Sequence, residues 1–178
     1  MPKWPPEYSF DQFEKHEKTI RAAVGTNEAT TRLRAIDTML FDVLGWEKTD
    51  VETERYCREE GYSDYAFMNK GSVSLILEAK RQGKTFALAN TNLPSDPVGF
   101  SLLSKEAPAA ENALRQALGY AASEGARYIA ITNGHQWLLM LTFVHNQRIE
   151  QRSVFVFESI DIIKQSKFRL FHSCFSPE

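Results

Sequence analysis

The segment Asp64–Lys80 constrains the fold more than any other part of the chain. Two β-prone runs, Asp64–Asn69 and Ser72–Lys80, meet through Lys70-Gly71, which is the pattern of a β-hairpin. In the second run Leu75-Ile76-Leu77 is apolar at consecutive positions, hence on both faces of a strand, so the strand is an interior one. Helical patterns surround it. Tyr8–Val24 reads as a first, polar helix, and Asn27 as the N-cap of a second that carries Leu33, Ile36, Leu40, Val43 and Leu44 on one face and stops at Gly45. Glu106–Glu124 has a stripe of Ala110, Ala113, Leu114, Ala117 and Ala121 and stops at Gly125. Val51–Cys57, Tyr128–Thr132, Gln136–Val144 (after a turn at Asn133-Gly134) and Ser153–Phe157 read as strands, and Ile160–Phe171 as a closing helix. An α/β fold follows, with a central mixed β-sheet flanked by helices.

Length and composition set the outer limits. A chain of 178 residues is the size of one domain, 1–178, with its core at about 27–157. No apolar run approaches the roughly 20 residues that span a bilayer, and the polar start is no signal peptide, so no membrane is expected. Cys57 and Cys174 stand at neither disulfide-motif nor zinc-ligand spacing, which suits a reducing, cytoplasmic setting. A net charge of -2 argues against coating nucleic acid by bulk electrostatics, though a local patch could still grip it. Residues 81–105 are rich in Gly, Pro, Ser and Asn, a loop length usually tied to function or motion.

The chemistry is concentrated in the hairpin. Side chains two apart on a strand share a face, so Glu78 and Lys80 point the same way, about 7 Å apart. A three-residue loop, Lys70-Gly71-Ser72, pairs Phe67 with Leu75, Ala66 with Ile76 and Tyr65 with Leu77, and so sets Asp64 opposite Glu78. Facing carboxylates destabilise a sheet unless a proton or a cation sits between them. Two converging carboxylates are a hard-oxygen site suited to Mg²⁺ or Mn²⁺. Lys80 beside them can stabilise developing charge or position a water. A lone Glu-x-Lys is ordinarily an exposed ion pair, but at the end of a buried strand that reading is costly. The histidines show no zinc or triad pairing, and the absence of a glycine-rich phosphate loop argues against ATP binding.

These residues resemble the PD-(D/E)xK nuclease superfamily, and more narrowly the N-terminal endonuclease domain of type I restriction enzyme R subunits. The resemblance runs from about Asn27 to Trp137. It rests on Asn27-Glu28-Ala-Thr-Thr-Arg32, Ile36-Asp37, Leu44-Gly45-Trp46, Gly61-Tyr-Ser-Asp64-Tyr65, Glu78-Ala-Lys80-Arg81, Gln116-Ala-Leu-Gly-Tyr120 and Thr132-Asn-Gly134 before Trp137. Ser63 stands where the superfamily's eponymous proline would be, at a position that is not a ligand. The resemblance implies a restriction-endonuclease-like core and a Mg²⁺- or Mn²⁺-dependent endodeoxyribonuclease of restriction or phage defence. Asp64, Glu78 and the Ala79 carbonyl would hold the metal, Lys80 would be the catalytic lysine, and Glu28 would contribute directly or through water. Gln116 and Tyr120 would sit near the site and touch DNA or the metal-bound water.

Structural roles compete with several of these. Glu28 complements a helix dipole and has Arg32 as its i+4 partner. Gln116 and Tyr120 could form a hydrogen-bonded helix surface, although Gly119 between them suggests a close approach to that face. Lys80, Arg81 and Lys84, with Arg115 as a weaker member, could be a phosphate-contacting strip or solvated surface. The expected partners are DNA and a motor, sensor or specificity domain or subunit, the chain being either a stand-alone nuclease or the front end of a larger protein. The competing readings are a non-cleaving module on the same fold that binds nucleic acid or a partner, and a chance motif in an unrelated α/β domain.

Overall fold

The computed structural model describes residues 4–24, 26–57, 60–80, 86, 88, 93 and 97–177. Helix α1 spans Pro6–Ala23. Helix α2 opens as an ordinary α-turn, Glu28–Thr31, and continues through two wider windings, Arg32–Ile36 and Thr38–Val43. Strands β1 (Val51–Cys57), β2 (Gly61–Asn69) and β3 (Ser72–Ala79) follow. Next come β4 (Val98–Gly99), α3 (Phe100–Glu106), α4 (Pro108–Glu124), β5 (Tyr128–Thr132), β6 (Trp137–Leu141) and β7 (Ser153–Phe157). Ile160–Ile162, Ile163–Lys167 and Phe168–Phe175 form the closing helix α5. Among the described residues, no helix is long and apolar enough to cross a membrane.

The strands make one mixed sheet in the order β1-β2-β3-β5-β6-β7-β4. Its one parallel pair, among the described residues, is β3 with β5, in register from Leu75 opposite Tyr128 to Ala79 opposite Thr132. A parallel neighbour needs a crossover, and α3 and α4 lie in the chain between the two strands. The sheet divides the core in two. Tyr65, Phe67, Leu75, Leu77, Ala130, Trp137 and Phe157 face Phe13 and Ile20 of α1, Ile36, Met39 and Leu40 of α2, and Phe171 and Phe175 of α5. Ala66, Ile76, Ile129, Ile131, Leu138 and Val156 face α3 and α4, including Phe100, Leu103, Leu114 and Ala117. The interior assignment of β3 therefore holds, since its central residues feed both halves.

Several elements differ from the sequence expectation for definable reasons. Asn27 caps α2 as expected, its Oδ1 accepting the Thr30 N–H at 2.9 Å. Leu33, expected in the core, is 66% exposed. Arg32 still bonds back to Glu28, but beyond it N–H groups reach five residues back, as in Asp37 to Arg32 and Leu44 to Met39, so the 3.6-residue face no longer carries through from Leu33 to Leu44. The helix expected at Glu106–Glu124 is α4, which starts at Pro108; Glu106 ends the separate, short α3, and Ala107 between them precedes Pro108, whose ring disfavours α geometry there. The β2–β3 loop has two residues, Lys70 and Gly71, both at positive φ, with Asn69 opposite Ser72. A bulge at Ser74 restores the expected pairings of Phe67 with Leu75, Ala66 with Ile76 and Tyr65 with Leu77. The turn is one residue shorter than expected, and the register is the expected one.

Candidate active site

The ladder between β2 and β3 closes at Tyr65 opposite Leu77. Beyond that pair the strands are joined through the carboxylates of Asp64 and Glu78. Asp64 Oδ2 accepts the Ala79 backbone N–H at 2.8 Å, and Glu78 Oε1 accepts the Asp64 backbone N–H at 3.2 Å. Each carboxylate thus spends one oxygen on the neighbouring strand's main chain. The other oxygen faces a cation: Asp64 Oδ1 lies 3.3 Å from Arg32, and Glu78 Oε2 accepts from Lys80 Nζ at 3.1 Å. The anchored oxygens fix both groups at one point at the end of the sheet.

Burial makes this arrangement energetically expensive. Glu78 is 3% exposed, and desolvation, reinforced by the Asp64 charge, raises its pKa from 4.5 to about 7 against the opposing pull of Lys80. Lys80 also donates to Gln116 Oε1 at 2.8 Å, and Gln116 Nε2 donates to the Tyr120 hydroxyl at 2.9 Å. The i, i+4 pair expected on α4 therefore leads from the exposed Gln116 to the buried Tyr120 and is tied directly to the lysine. Gly119 beside them does accommodate a close neighbour. A Cβ there would lie 2.8 Å from a carboxylate oxygen of Glu60, which precedes β2.

Two further features frame the site, a turn and an arginine that the sequence names without giving either a place beside the carboxylates. The first is the β5–β6 turn. Thr132 O accepts the Lys80 backbone N–H at 2.7 Å, extending β3 by one bond. Thr132 Oγ1 accepts from Gly134 N, Asn133 Oδ1 accepts from His135 N and Gln136 N, and the buried Gln136 accepts from Asn133 Nδ2 and Phe86 N. Gly134, at φ +82°, packs so tightly on α2 that a Cβ would meet Thr31 Cγ2 at 2.9 Å. The turn clamps the end of β3 to the helix carrying Arg32.

The second is Arg32 itself. It lies on the first wide winding of α2, with its guanidinium carbon 5.2 Å from the centroid of the Tyr65 ring. The Tyr65 hydroxyl donates to Asp37 Oδ1 at 2.7 Å, and burial together with that partner raises its pKa well above the usual phenol range. Arg32 passes over the expected i−4 partner Glu28 in favour of Asp64, with Glu54 at 3.8 Å. Helical spacing cannot reveal this, because the choice depends on where β2 ends.

The remaining expected residues fall elsewhere. Glu28 is exposed in the first turn of α2, no hydrogen bond or ion pair ties it to Asp64, Glu78 or Lys80, and its dipole-complementing place is the one the structure displays. Arg81 and Lys84 lie outside the described residues. Arg115 pairs with Glu111 and Glu150, away from the lysine. Among the described residues, no group of three or more His, Cys, Asp or Glu side chains converges on one point. Any metal here would rest on Asp64, Glu78 and main-chain or water oxygens. The chain matches no model of a known protein family, no curated protein and no solved structure.

Proposed function

We propose that this protein is a metal-dependent endonuclease with a restriction-endonuclease-like core, cutting DNA with Asp64, Glu78 and Lys80. The observation carrying this reading is the convergence of a buried and a half-buried carboxylate with a lysine where β2 and β3 part. Keeping a 3%-exposed glutamate beside an aspartate costs stability, and function is the usual reason for such a cost. The donor set fits Mg²⁺ or Mn²⁺: Asp64 Oδ1 and Glu78 Oε2 are the oxygens not used by main-chain N–H groups, and both are hard.

A bound Mg²⁺ would lower the pKa of a coordinated water and offset phosphate charge. The chain's own groups do the rest. The Ala79 and Asp64 N–H groups hold the carboxylates in place, so that little reorganisation is needed when substrate arrives. Lys80, held between Glu78 and Gln116, places its ammonium where a hydrolytic water or a developing oxyanion could be contacted. Gln116 and Tyr120 orient Lys80 from α4. Restriction or phage defence is the biological setting we propose, with a motor, sensor or specificity element delivering DNA to a chain of net charge -2.

A second reading has one observation in its favour. Arg32 on Asp64 and Lys80 on Glu78 already balance the two carboxylates, so a non-cleaving module that binds nucleic acid or a partner could keep this geometry without metal. Mn²⁺ titration of the wild type and of Glu78→Ala by calorimetry, with end-labelled duplex DNA then followed for cleavage, separates the two. The nuclease reading predicts one site, lost in Glu78→Ala, and cleavage only with metal. DNA binding with no metal uptake and no cleavage would favour the module.

A further inference from the structure

We infer that Arg32 is a phosphate-binding residue of this site, parked on Asp64 in the free protein and transferred to a phosphodiester of the substrate when a metal ion takes its place. The inference rests on the nuclease reading for the identity of its ligand and goes beyond it in assigning a group on α2 to the substrate.

Three observations support it. Arg32 approaches Asp64 at Oδ1, the oxygen left over after Oδ2 accepts the Ala79 N–H. That oxygen is the one a metal would need, so metal and guanidinium compete for it. Second, among the described residues Arg32 has one other carboxylate within ion-pair distance, and its contact with Tyr65 leaves the guanidinium charge uncompensated. Glu54 is 3.8 Å away and 74% exposed, a contact worth little in water. Third, the guanidinium is held beside Asp64 by the Tyr65 ring as well. Its carbon lies 5.2 Å from the centroid of the Tyr65 ring, and the Tyr65 hydroxyl is fixed by Asp37. A stacked, partly desolvated guanidinium keeps its flat, two-pronged donor edge ready for two phosphate oxygens, which a lysine could not match.

The placement gives two cations of opposite origin around the carboxylate pair. Lys80 comes from the end of β3 and is held by α4, whereas Arg32 reaches in from α2 across the sheet edge. A phosphodiester seated against Asp64 and Glu78 would then meet both cations. A wide winding of α2 begins at Arg32. Such windings often mark functional positions in helices.

Fluorescence anisotropy of a labelled duplex with the full chain, in EDTA and in Ca²⁺ across a salt series, provides the test, with Mn²⁺ affinity measured in parallel by calorimetry. In Ca²⁺, Arg32→Ala should weaken DNA binding about tenfold and lower the slope of log affinity against log salt by about one, the signature of one lost phosphate contact. Arg32→Lys should recover the slope but not the full affinity. Arg32→Ala should also bind Mn²⁺ several-fold more tightly, because Asp64 loses its resident cation. In EDTA, Asp64→Asn frees Arg32 and should tighten DNA binding, and that gain should vanish in the Asp64→Asn, Arg32→Ala double variant. An unchanged salt slope in a folded Arg32→Ala overturns the inference. If Arg32→Ala does not fold, a gain in Asp64→Asn that persists in Asp64→Asn, Arg32→Lys at full size overturns it instead. Cleavage that survives alongside an unchanged slope leaves the nuclease reading standing. A lowered slope without any cleavage supports the phosphate contact and removes the nuclease.

Discussion

Replacing Glu78 by glutamine should stabilise the protein at alkaline pH. In the native state burial and Asp64 hold the Glu78 pKa at about 7, against 4.5 for the free side chain. Between those values the folded chain binds more protons than the unfolded chain, so folding stability falls as pH rises. The contribution is fully present below 4.5, declines from there, and is gone above about 7. At 1.36 kcal/mol for each pH unit, the loss approaches about 3 kcal/mol. Glutamine avoids it but gives up part of one hydrogen bond. Its carbonyl can still accept the Asp64 N–H, while its NH₂ would face Lys80, which keeps Gln116 as acceptor. Setting about 1 kcal/mol against the gain leaves Glu78→Gln about 2 kcal/mol more stable at pH 8. Near pH 4.5, where little has been lost, the variant should instead be less stable by that hydrogen bond, about 1 kcal/mol, so the two curves cross as pH rises and the pH dependence of their difference isolates Glu78 from every other carboxylate. Urea unfolding in EDTA from pH 4.5 to 8 measures it. Adding Mg²⁺ at pH 8 should return part of the lost stability to the wild type and none to Glu78→Gln. A variant less stable than wild type at pH 8, or a difference that does not change with pH, would refute the electrostatic account.

Other substitutions probe the frame around the site. Gln116→Ala removes one of two acceptors from Lys80 and the donor to Tyr120, and should reduce cleavage about tenfold while changing stability by no more than about 1 kcal/mol, as read by single-turnover kinetics and urea unfolding. Gly134→Ala forces a Cβ to within 2.9 Å of Thr31 at a backbone φ of +82°, and should cost about 1–3 kcal/mol in thermal unfolding. Gly119→Ala meets only the flexible end of Glu60, so the gain in helix propensity should prevail and stabilise α4 by up to about 1 kcal/mol.

What could be read from the sequence is what short-range rules govern. The β-prone runs Asp64–Asn69 and Ser72–Lys80 announce the hairpin, and counting from a three-residue loop gives the pairing that brings Asp64 to Glu78 because the bulge at Ser74 offsets the shorter turn. The α4 stripe and the Gln116-to-Tyr120 spacing follow from helical periodicity alone. Arg32 keeps its ordinary four-residue bond to Glu28, and its side chain pairs with Asp64 because the fold brings β2 within 3.3 Å, which helical spacing does not encode. Leu33 is exposed because the wide windings that follow it break its helical spacing with Ile36 and Leu40. The β5–β6 turn was legible as a turn, but its grip on Lys80 depends on the parallel pairing of β3 with β5, separated by almost 50 residues of chain.

The nuclease reading is tested most directly by supercoiled plasmid incubated with the full chain and Mg²⁺ or Mn²⁺, alongside Asp64→Ala and Lys80→Ala. Nicking that requires the metal and disappears in both variants is the predicted result. Intact plasmid at high protein with either metal, or nicking that persists in both variants, would contradict it.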